Sequence, residues 1–263
     1  MQLSECRVLL TGATGGIGGV LAERLCAGGA HVLLVGRQAG RLEQLVARCA
    51  GRATSVCADI TQSAGREAVV QAAQRAGGIN LLINAAGLNH FGMLEQHDDE
   101  AIAALVQLNV TATLQLTHRL LPLLGEQRRA LVLNIGSTFG SIGYPGFAAY
   151  CASKFALRGF SEALRRELAD TDIKVLYVAP RATRTEMNEQ SVVAMNNELN
   201  VAMDDPAVVA EAVVAAIARE REELYLGWPE KLFVRLNCAL PRLVDQALRK
   251  QLPIIQRFAR NKA

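Results

Sequence analysis

Apolar residues recur along this chain in two alternating rhythms. Short, nearly unbroken runs stand at Arg7–Leu10, His31–Val35, Thr54–Ala58, Leu81–Asn84, Ala130–Gly136, Ile173–Ala179 and Glu223–Leu226. Runs of this length, rich in Val, Leu and Ile, read as strands covered on both faces. Between them, over 17–27, 39–50, 62–76, 98–123, 149–169 and 206–220, apolar positions return every three or four residues, the spacing of an amphipathic helix. Seven short strands alternating with longer helices predict βαβ units, hence an α/β fold on a mostly parallel sheet with helices on both faces. No linker rich in Pro, Ser or charge divides the pattern, so residues 1–227 read as one domain. In open sheets of this kind a ligand sits beyond the carboxyl ends of the strands. Gly12, Asp59, Asn84 and Ser137 all fall at or just after predicted strand ends.

Two stretches depart from the rhythm. Residues 180–205 are less regular and carry several Asn and Met residues; they either cover a bound ligand or form a surface insertion. Residues 228–263 form a tail in which Leu232, Phe233, Leu236, Leu240, Leu243, Val244 and Leu248 recur at helical spacing, continued by Ile254, Ile255 and Phe258 after Pro253. Eight Lys/Arg against two Asp/Glu give this tail +6, while the remainder carries −3. A basic amphipathic helix can lie on an anionic membrane surface, pack as a lid on the substrate pocket, or dock a second subunit.

Composition narrows the rest. With 263 residues, 51% hydrophobic and a net charge of +3, the chain can bury a large core, and its overall charge points to no nucleic acid. Six scattered cysteines form no C-x-x-C pair and read as reduced packing residues of an intracellular protein. No signal-peptide pattern opens the chain, and no apolar run is long enough to span a bilayer. The expectation is a cytoplasmic protein, with membrane contact, if any, peripheral at the inner face.

The chemistry-bearing residues come in a set order. Thr11-Gly12-Ala13-Thr14-Gly15-Gly16-Ile17-Gly18 follows a strand and opens a helix, where glycines let backbone approach a pyrophosphate and the helix N-terminus supplies N–H donors. At the end of the second strand, Val35-Gly36-Arg37 offers no carboxylate for ribose hydroxyls. Arg37 can instead pair with a 2′-phosphate, predicting NADP(H) over NAD(H); alternatively it only opens the next helix. Ser137 ends an apolar run thirteen residues before Tyr150, and Tyr150 and Lys154 share a helix face at i, i+4. A lysine ammonium beside a phenol lowers its pKa toward the working range of an acid/base catalyst.

Thr11-Gly12-x3-Gly16-Ile17-Gly18, Asn84-Ala85-Ala86-Gly87, Ser137 and Tyr150-x3-Lys154 together resemble the short-chain dehydrogenase/reductase family, in its shorter single-domain branch. The resemblance covers residues 7 to about 227. It implies a doubly wound, Rossmann-like sheet of seven strands and hydride transfer between nicotinamide and a carbonyl or alcohol carbon. It implies catalytic roles for Asn109, Ser137, Tyr150 and Lys154. Tyr150 would be the general acid/base, Ser137 would hold the carbonyl oxygen, Lys154 would hold the nicotinamide ribose, and Asn109 would anchor a water in a proton relay. Around the cofactor it places Thr14 and Ile17 in the glycine loop, Asp59 and Ile60 at the adenine, Asn84, Ala85 and Gly87 along the backbone, and Pro180, Thr183 and Thr185 near the nicotinamide. Read alone, Asp59 equally fits a cap of the following helix, and Asn84 a tie between neighbouring strands. The resemblance also implies a homo-oligomer formed through helices 98–123 and 149–169. Two departures stand out: Pro180-Arg181 where the family commonly has Pro-Gly, and Asn-Ala-Ala-Gly for Asn-Asn-Ala-Gly. The tail, together with the few polar candidates in 180–205, favours a lipophilic ketone or alcohol as substrate. Competing readings are an NADP-binding regulator without turnover, which the complete Asn109, Ser137, Tyr150, Lys154 set opposes, and a dehydratase or epimerase of nucleotide sugars, which the length and glycine spacing oppose.

Overall fold

The structure, a computed structural model, describes residues 1–260; the last three residues of the expected tail lie outside the described residues. Seven strands form one parallel sheet in the order β3-β2-β1-β4-β5-β6-β7. They are β1 Arg7–Thr11, β2 His31–Gly36, β3 Ala53–Cys57, β4 Leu81–Asn84, β5 Ala130–Ile135, β6 Ile173–Ala179 and β7 Glu223–Tyr225. Strand order reverses between β1 and β4, which pair in parallel through Leu9 against Leu82 and Thr11 against Asn84. Connections leave this point in opposite directions and open a crevice at the carboxyl ends.

The helices are α1 Gly16–Ala27, α2 Ala39–Arg48, α3 Ser63–Arg75, α4 Asp99–Val106, α5 Thr113–Gly125, α6 Ala148–Glu167, α7 Gln190–Glu198, α8 Pro206–Ala218, α9 Glu230–Ala239 and α10 Pro241–Arg260. Alternate strand residues feed two cores. Val8, Leu10, Leu34 and Ile83 pack with α1 and α8 on one face; Leu9, Leu82, Val132 and Leu116 pack with α3 and α5 on the other. This is the doubly wound arrangement of helices on both faces that the sequence pattern predicts. Among the described residues, no helix is long and apolar enough to cross a membrane.

Two elements correct the sequence reading. The irregular segment after β6 contains a helix, α7, whose Val192 and Met195 are buried. The long stretch 98–123 is helical throughout, as expected, but not uniformly α: a π turn over Gln107–Ala112 stands between α4 and α5.

The tail folds back on its own chain. Ile255 and Ala259 of α10 are buried with Val192 and Met195 of α7 and with Phe91 and Phe147, a third apolar cluster separate from the sheet cores. Polar contacts fasten it at several points: Asn237 Nδ2 donates to Ser141 O at 2.9 Å, and Tyr144 Oη to Gln251 Oε1 at 3.0 Å. Arg257 pairs with Glu198 of α7.

Candidate active site

A continuous cavity of about 710 Å³ runs along the carboxyl ends of the strands. At one end lies the turn between β1 and α1. Gly12 holds φ +66°, and a Cβ there would stand 2.6 Å from Ala86 N and 2.7 Å from Ala85 C, so the turn can lie against the end of β4 only as glycine. Thr11 ties the same strands: its hydroxyl accepts from Ala85 N at 3.1 Å and Ala86 N at 3.2 Å. The residue before α1 is Gly15, which has no side chain to cap the helix, so the first-turn N–H groups are left for an external acceptor. Thr14, Gly16, Ile17 and Gly18 line the cavity here.

Moving toward β2 and β3, the lining includes Arg37, Asp59 and Ile60, together with Arg41, a residue the sequence reading did not single out. Arg41 extends to Glu186 at 3.0 Å, an exposed pair of little intrinsic strength. Asp59 accepts from Thr61 N at 2.9 Å and Thr61 Oγ1 at 2.7 Å. Burial acts to raise its carboxyl, but those bonds and the neighbouring Arg37 charge hold it below its ordinary value.

The serine, tyrosine and lysine expected to act together meet at the middle of the cavity. Ser137 and Tyr150 both line it, as does Lys154. Lys154 is buried, donates to Ile135 O at 3.0 Å and lies 5.7 Å from the centre of the Tyr150 ring. The expected effect on the tyrosine is reversed in the protein alone. Burial pushes Tyr150 up to about 12, opposed by hydrogen bonding with Ser137, and burial lowers Lys154 to about 8. Desolvation thus outweighs the hydrogen bond with Ser137, and the phenol holds its proton.

Ser137 is set by a residue the sequence left unremarked. Tyr177 of β6, fully buried, donates its hydroxyl to Ser137 O at 3.2 Å and accepts from Ser137 N at 3.5 Å. Any Cβ at Gly136 would collide with this ring, so glycine before the serine makes room for its support. Cys151, beside Tyr150, packs in the third apolar cluster and accepts from Tyr144 N at 3.3 Å, a packing role.

Two predicted residues stand behind the wall rather than on it. Asn109, in the π turn, is buried: Leu88 N donates to its Oδ1 at 2.7 Å, and its Nδ2 donates to Leu88 O at 2.9 Å and Ser153 Oγ at 3.0 Å. Ser153 in turn donates to Tyr150 O at 2.7 Å. Asn84 is also buried and absent from the lining; its Nδ2 donates to Thr117 Oγ1 at 3.0 Å and Asn134 Oδ1 at 2.8 Å, while its Oδ1 has no partner among the described residues. Its side chain ties β4 to β5 and α5. Ala85 and Gly87 line the cavity, and Gly87 separates it from Asn109.

After β6, Pro180, Thr183 and Thr185 line the wall. Thr185 covers the glycine turn so closely that a Cβ at Gly16 would stand 2.6 Å from its Cγ2. Arg181, the departure from Pro-Gly, is turned into a clamp. Its guanidinium donates to Asp204 Oδ1 at 2.7 and 3.0 Å and to Glu230 Oε2 at 3.2 Å. It thereby joins the strand end, the segment after α7 and the first residue of α9. Beyond Tyr150 the lining turns apolar, with Phe147 from the loop before α6, Val192 and Met195 from α7, Leu236 from α9, and Val244 and Leu248 from α10.

Such a crevice, with backbone donors at a helix N-terminus and an acid/base group midway along, is that of a dinucleotide-dependent oxidoreductase of the doubly wound class. Residues 7–196 match the family model described as short chain dehydrogenase, and the chain belongs to that family. It is accordingly an oxidoreductase of alcohol and ketone groups that uses a nicotinamide cofactor. Over 256 residues the chain is 32% identical to hydroxysteroid 11-beta-dehydrogenase 1-like protein B of Xenopus laevis, covering 93% of this chain and 86% of that one. A solved short chain dehydrogenase from Burkholderia cenocepacia J2315, in complex with NADP, superposes with a TM-score of 0.81 at 30% identity, covering 94% of this chain and 99% of that one. One from Burkholderia phymatum, in complex with NAD, reaches 0.83 at 22% identity over 92% and 96%, a likeness of fold.

Proposed function

We propose that the protein is an NADP(H)-dependent carbonyl reductase or alcohol dehydrogenase for a lipophilic substrate, with Tyr150 as general acid/base. The observation that carries this reading is the position of Tyr150 where the two halves of one cavity meet: glycine turn and guanidinium groups on one side, apolar helices on the other. Arg37 and Arg41, both at the end of the cavity near β2, supply charge for a 2′-phosphate and no carboxylate that would repel it at Gly36-Arg37-Gln38. The glycine cradle and the uncapped N-terminus of α1 fit a pyrophosphate.

When bound, the nicotinamide supplies or accepts the hydride. Tyr150, protonated because it is buried, gives its proton to the oxygen that gains charge as a carbonyl is reduced. Ser137, held by Tyr177, fixes that oxygen by a hydrogen bond. Lys154 stabilises the phenolate left behind, and in oxidation the same phenolate takes the alcohol proton. Both Nδ2 hydrogens of Asn109 are committed to Leu88 and Ser153, so its contact with a relay water falls to its main-chain carbonyl, in a π turn where regular helix pairing is interrupted. Thr183 and Thr185 close the nicotinamide end. Val106 on α4 and Phe155 on α6, both exposed, support a homo-oligomer built through those helices.

The test is loss of NADPH absorbance with a panel of ketones, aldehydes and acyl thioesters of increasing chain length. Turnover that rises with apolar length and is faster with NADPH than NADH supports the reading. Absence of turnover with every member, or preference for NADH, overturns it.

A further inference from the structure

Of the eleven large apolar side chains exposed among the described residues, five lie between 228 and 243: Trp228 at 71%, Leu232, Phe233, Leu240 and Leu243. Phe233, Leu236 and Leu240 follow one face of α9 at three- and four-residue spacing, and Leu243 lies just past the corner, where its N–H donates to Leu240 O at 3.1 Å. The buried stripe of the tail is a different set, Val234, Val244, Ile255 and Ala259. The tail therefore has two apolar faces. One is satisfied by the protein, and nothing among the described residues covers the other.

Charge around this corner is mainly positive. Lys231, Arg235 and Arg242 are exposed and form no ion pair among the described residues; of the tail's two acids, Glu230 is held by Arg181, and Asp245, three residues after Arg242, is exposed. Phe233 and Leu243 have a double position, since they are exposed at the corner and also line the cavity; Met187 does the same on the facing segment. The mouth of the apolar half of the cavity opens through the patch.

We propose that the α9–α10 corner docks on an anionic lipid bilayer, with Trp228, Leu232, Leu240 and Leu243 in the interface and Lys231, Arg235 and Arg242 at the headgroups. An apolar face ringed by unpaired cations matches a surface that is apolar within and negative at its edge. Tryptophan favours that boundary. A second copy of this chain would bring the same cations against themselves, and helices α4 and α6 offer it the separate exposed pair Val106 and Phe155. Substrate would then pass from lipid into the cavity without crossing water. Docking stands on exposure and charge alone, while entry by this route rests on the proposed function.

Trp228 is the single tryptophan of the chain, so its fluorescence reports on the patch directly. The full-length protein is mixed with vesicles of phosphatidylcholine or of an equal mixture of phosphatidylcholine and phosphatidylglycerol, without cofactor or substrate. Expected are co-flotation with the mixed vesicles, a blue shift of Trp228 emission, and quenching by brominated acyl chains. Partition should exceed that to neutral vesicles by roughly a hundred-fold, about five-fold for each of three cations. Leu232→Glu and Leu240→Glu, outside the cavity lining, should abolish flotation and leave turnover of a short, water-soluble ketone unchanged. No flotation with either vesicle, or equal flotation with both, overturns the proposal. A blue shift that depends on protein concentration without lipid, with a dimer mass that Leu240→Glu reduces to monomer, overturns it in favour of a second copy. Flotation without turnover of any ketone would leave docking standing and remove the enzymatic reading instead.

Discussion

The two walls of the cavity are built from different material. The wall at β1, β4 and α1 is backbone: Gly12 against Ala85 and Ala86, the uncapped turn at Gly15, the Thr11 hydroxyl tying two strands. The wall beyond Tyr150 is side chain, contributed by α7, α9 and α10 and the loop at Phe147. Backbone contacts recognise what every dinucleotide shares and allow little variation, because a single Cβ collides with main chain. Side-chain contacts can change one residue at a time while the packing behind them persists. Under the proposed function, one molecule thus keeps a fixed place for its cofactor and an adjustable place for its substrate, and Tyr150 belongs to both.

Removing the shared group should have the largest effect. Tyr150→Phe keeps the ring and its packing but leaves no proton to donate. We expect kcat to fall by about 10²–10⁴-fold with NADPH affinity, measured by fluorescence titration, retained. Residual activity above a tenth of wild type would separate the two halves of the cavity and remove Tyr150 from the chemistry. On the cofactor side, Arg37→Ala should lower kcat/KM for NADPH relative to NADH by roughly 10–100-fold, the loss of one or two charge-assisted bonds. An unchanged ratio assigns the phosphate elsewhere, with Arg41→Ala the next measurement.

Proton concentration probes the junction itself. Lys154 titrates near 8 in the protein without cofactor, lowered by burial, and Tyr150 near 12. Below 8 the ammonium is present and the phenol protonated, the pair that reduction needs. Above it the ammonium loses its charge while the phenol stays protonated, so the phenolate formed in reduction is no longer stabilised. The reductive kcat/KM should therefore be flat in the acid range and decline above about pH 8, approaching tenfold per pH unit. A profile flat to pH 10 would mean that the lysine charge plays no part.

The difference between the walls also decides what could be read in the sequence. Gly12, Gly16, Gly18, Ser137, Tyr150 and Lys154 are legible because backbone approach and proton transfer demand particular residue types at fixed spacing. The seven strands are legible because burial on both faces writes continuous apolar runs. Helix α7 is hidden: Gln190–Glu198 carries Ser, Val and Asn at positions that favour no helix, and its buried Val192 and Met195 pack against Ile255, some sixty residues onward. The π turn is hidden as well, since Leu105, Leu108, Ala112 and Leu116 keep helical spacing straight through a change in hydrogen bonding. Tyr177 looks like any aromatic on a buried strand until its hydroxyl is seen on Ser137. Whether the tail turned inward or outward lay beyond periodicity, and the structure gives it one face of each kind.

Arg181 tests how firmly the adjustable wall is attached to the fixed one. It stands directly after Pro180 at the end of β6, where the family commonly has glycine, and it lines the cavity. Its guanidinium reaches Asp204 and Glu230, both largely shielded from water, so it joins the cavity floor to the segment after α7 and to the start of α9. Replacing it with alanine leaves two neighbouring carboxylates without a cation, which repel across the gap it filled. Partly shielded pairs of this sort are worth about 1 kcal/mol together, or roughly five-fold in an equilibrium between attached and loosened tail. Arg181→Ala should therefore raise KM for a long apolar ketone about five-fold while kcat for a short ketone and affinity for NADPH hold. Proteolytic cleavage between α8 and α9 should quicken in parallel, and Arg181→Lys should restore part of both. A variant that instead loses NADPH affinity would show that the side chain serves the backbone wall, and the division between the two would have to be redrawn at β6.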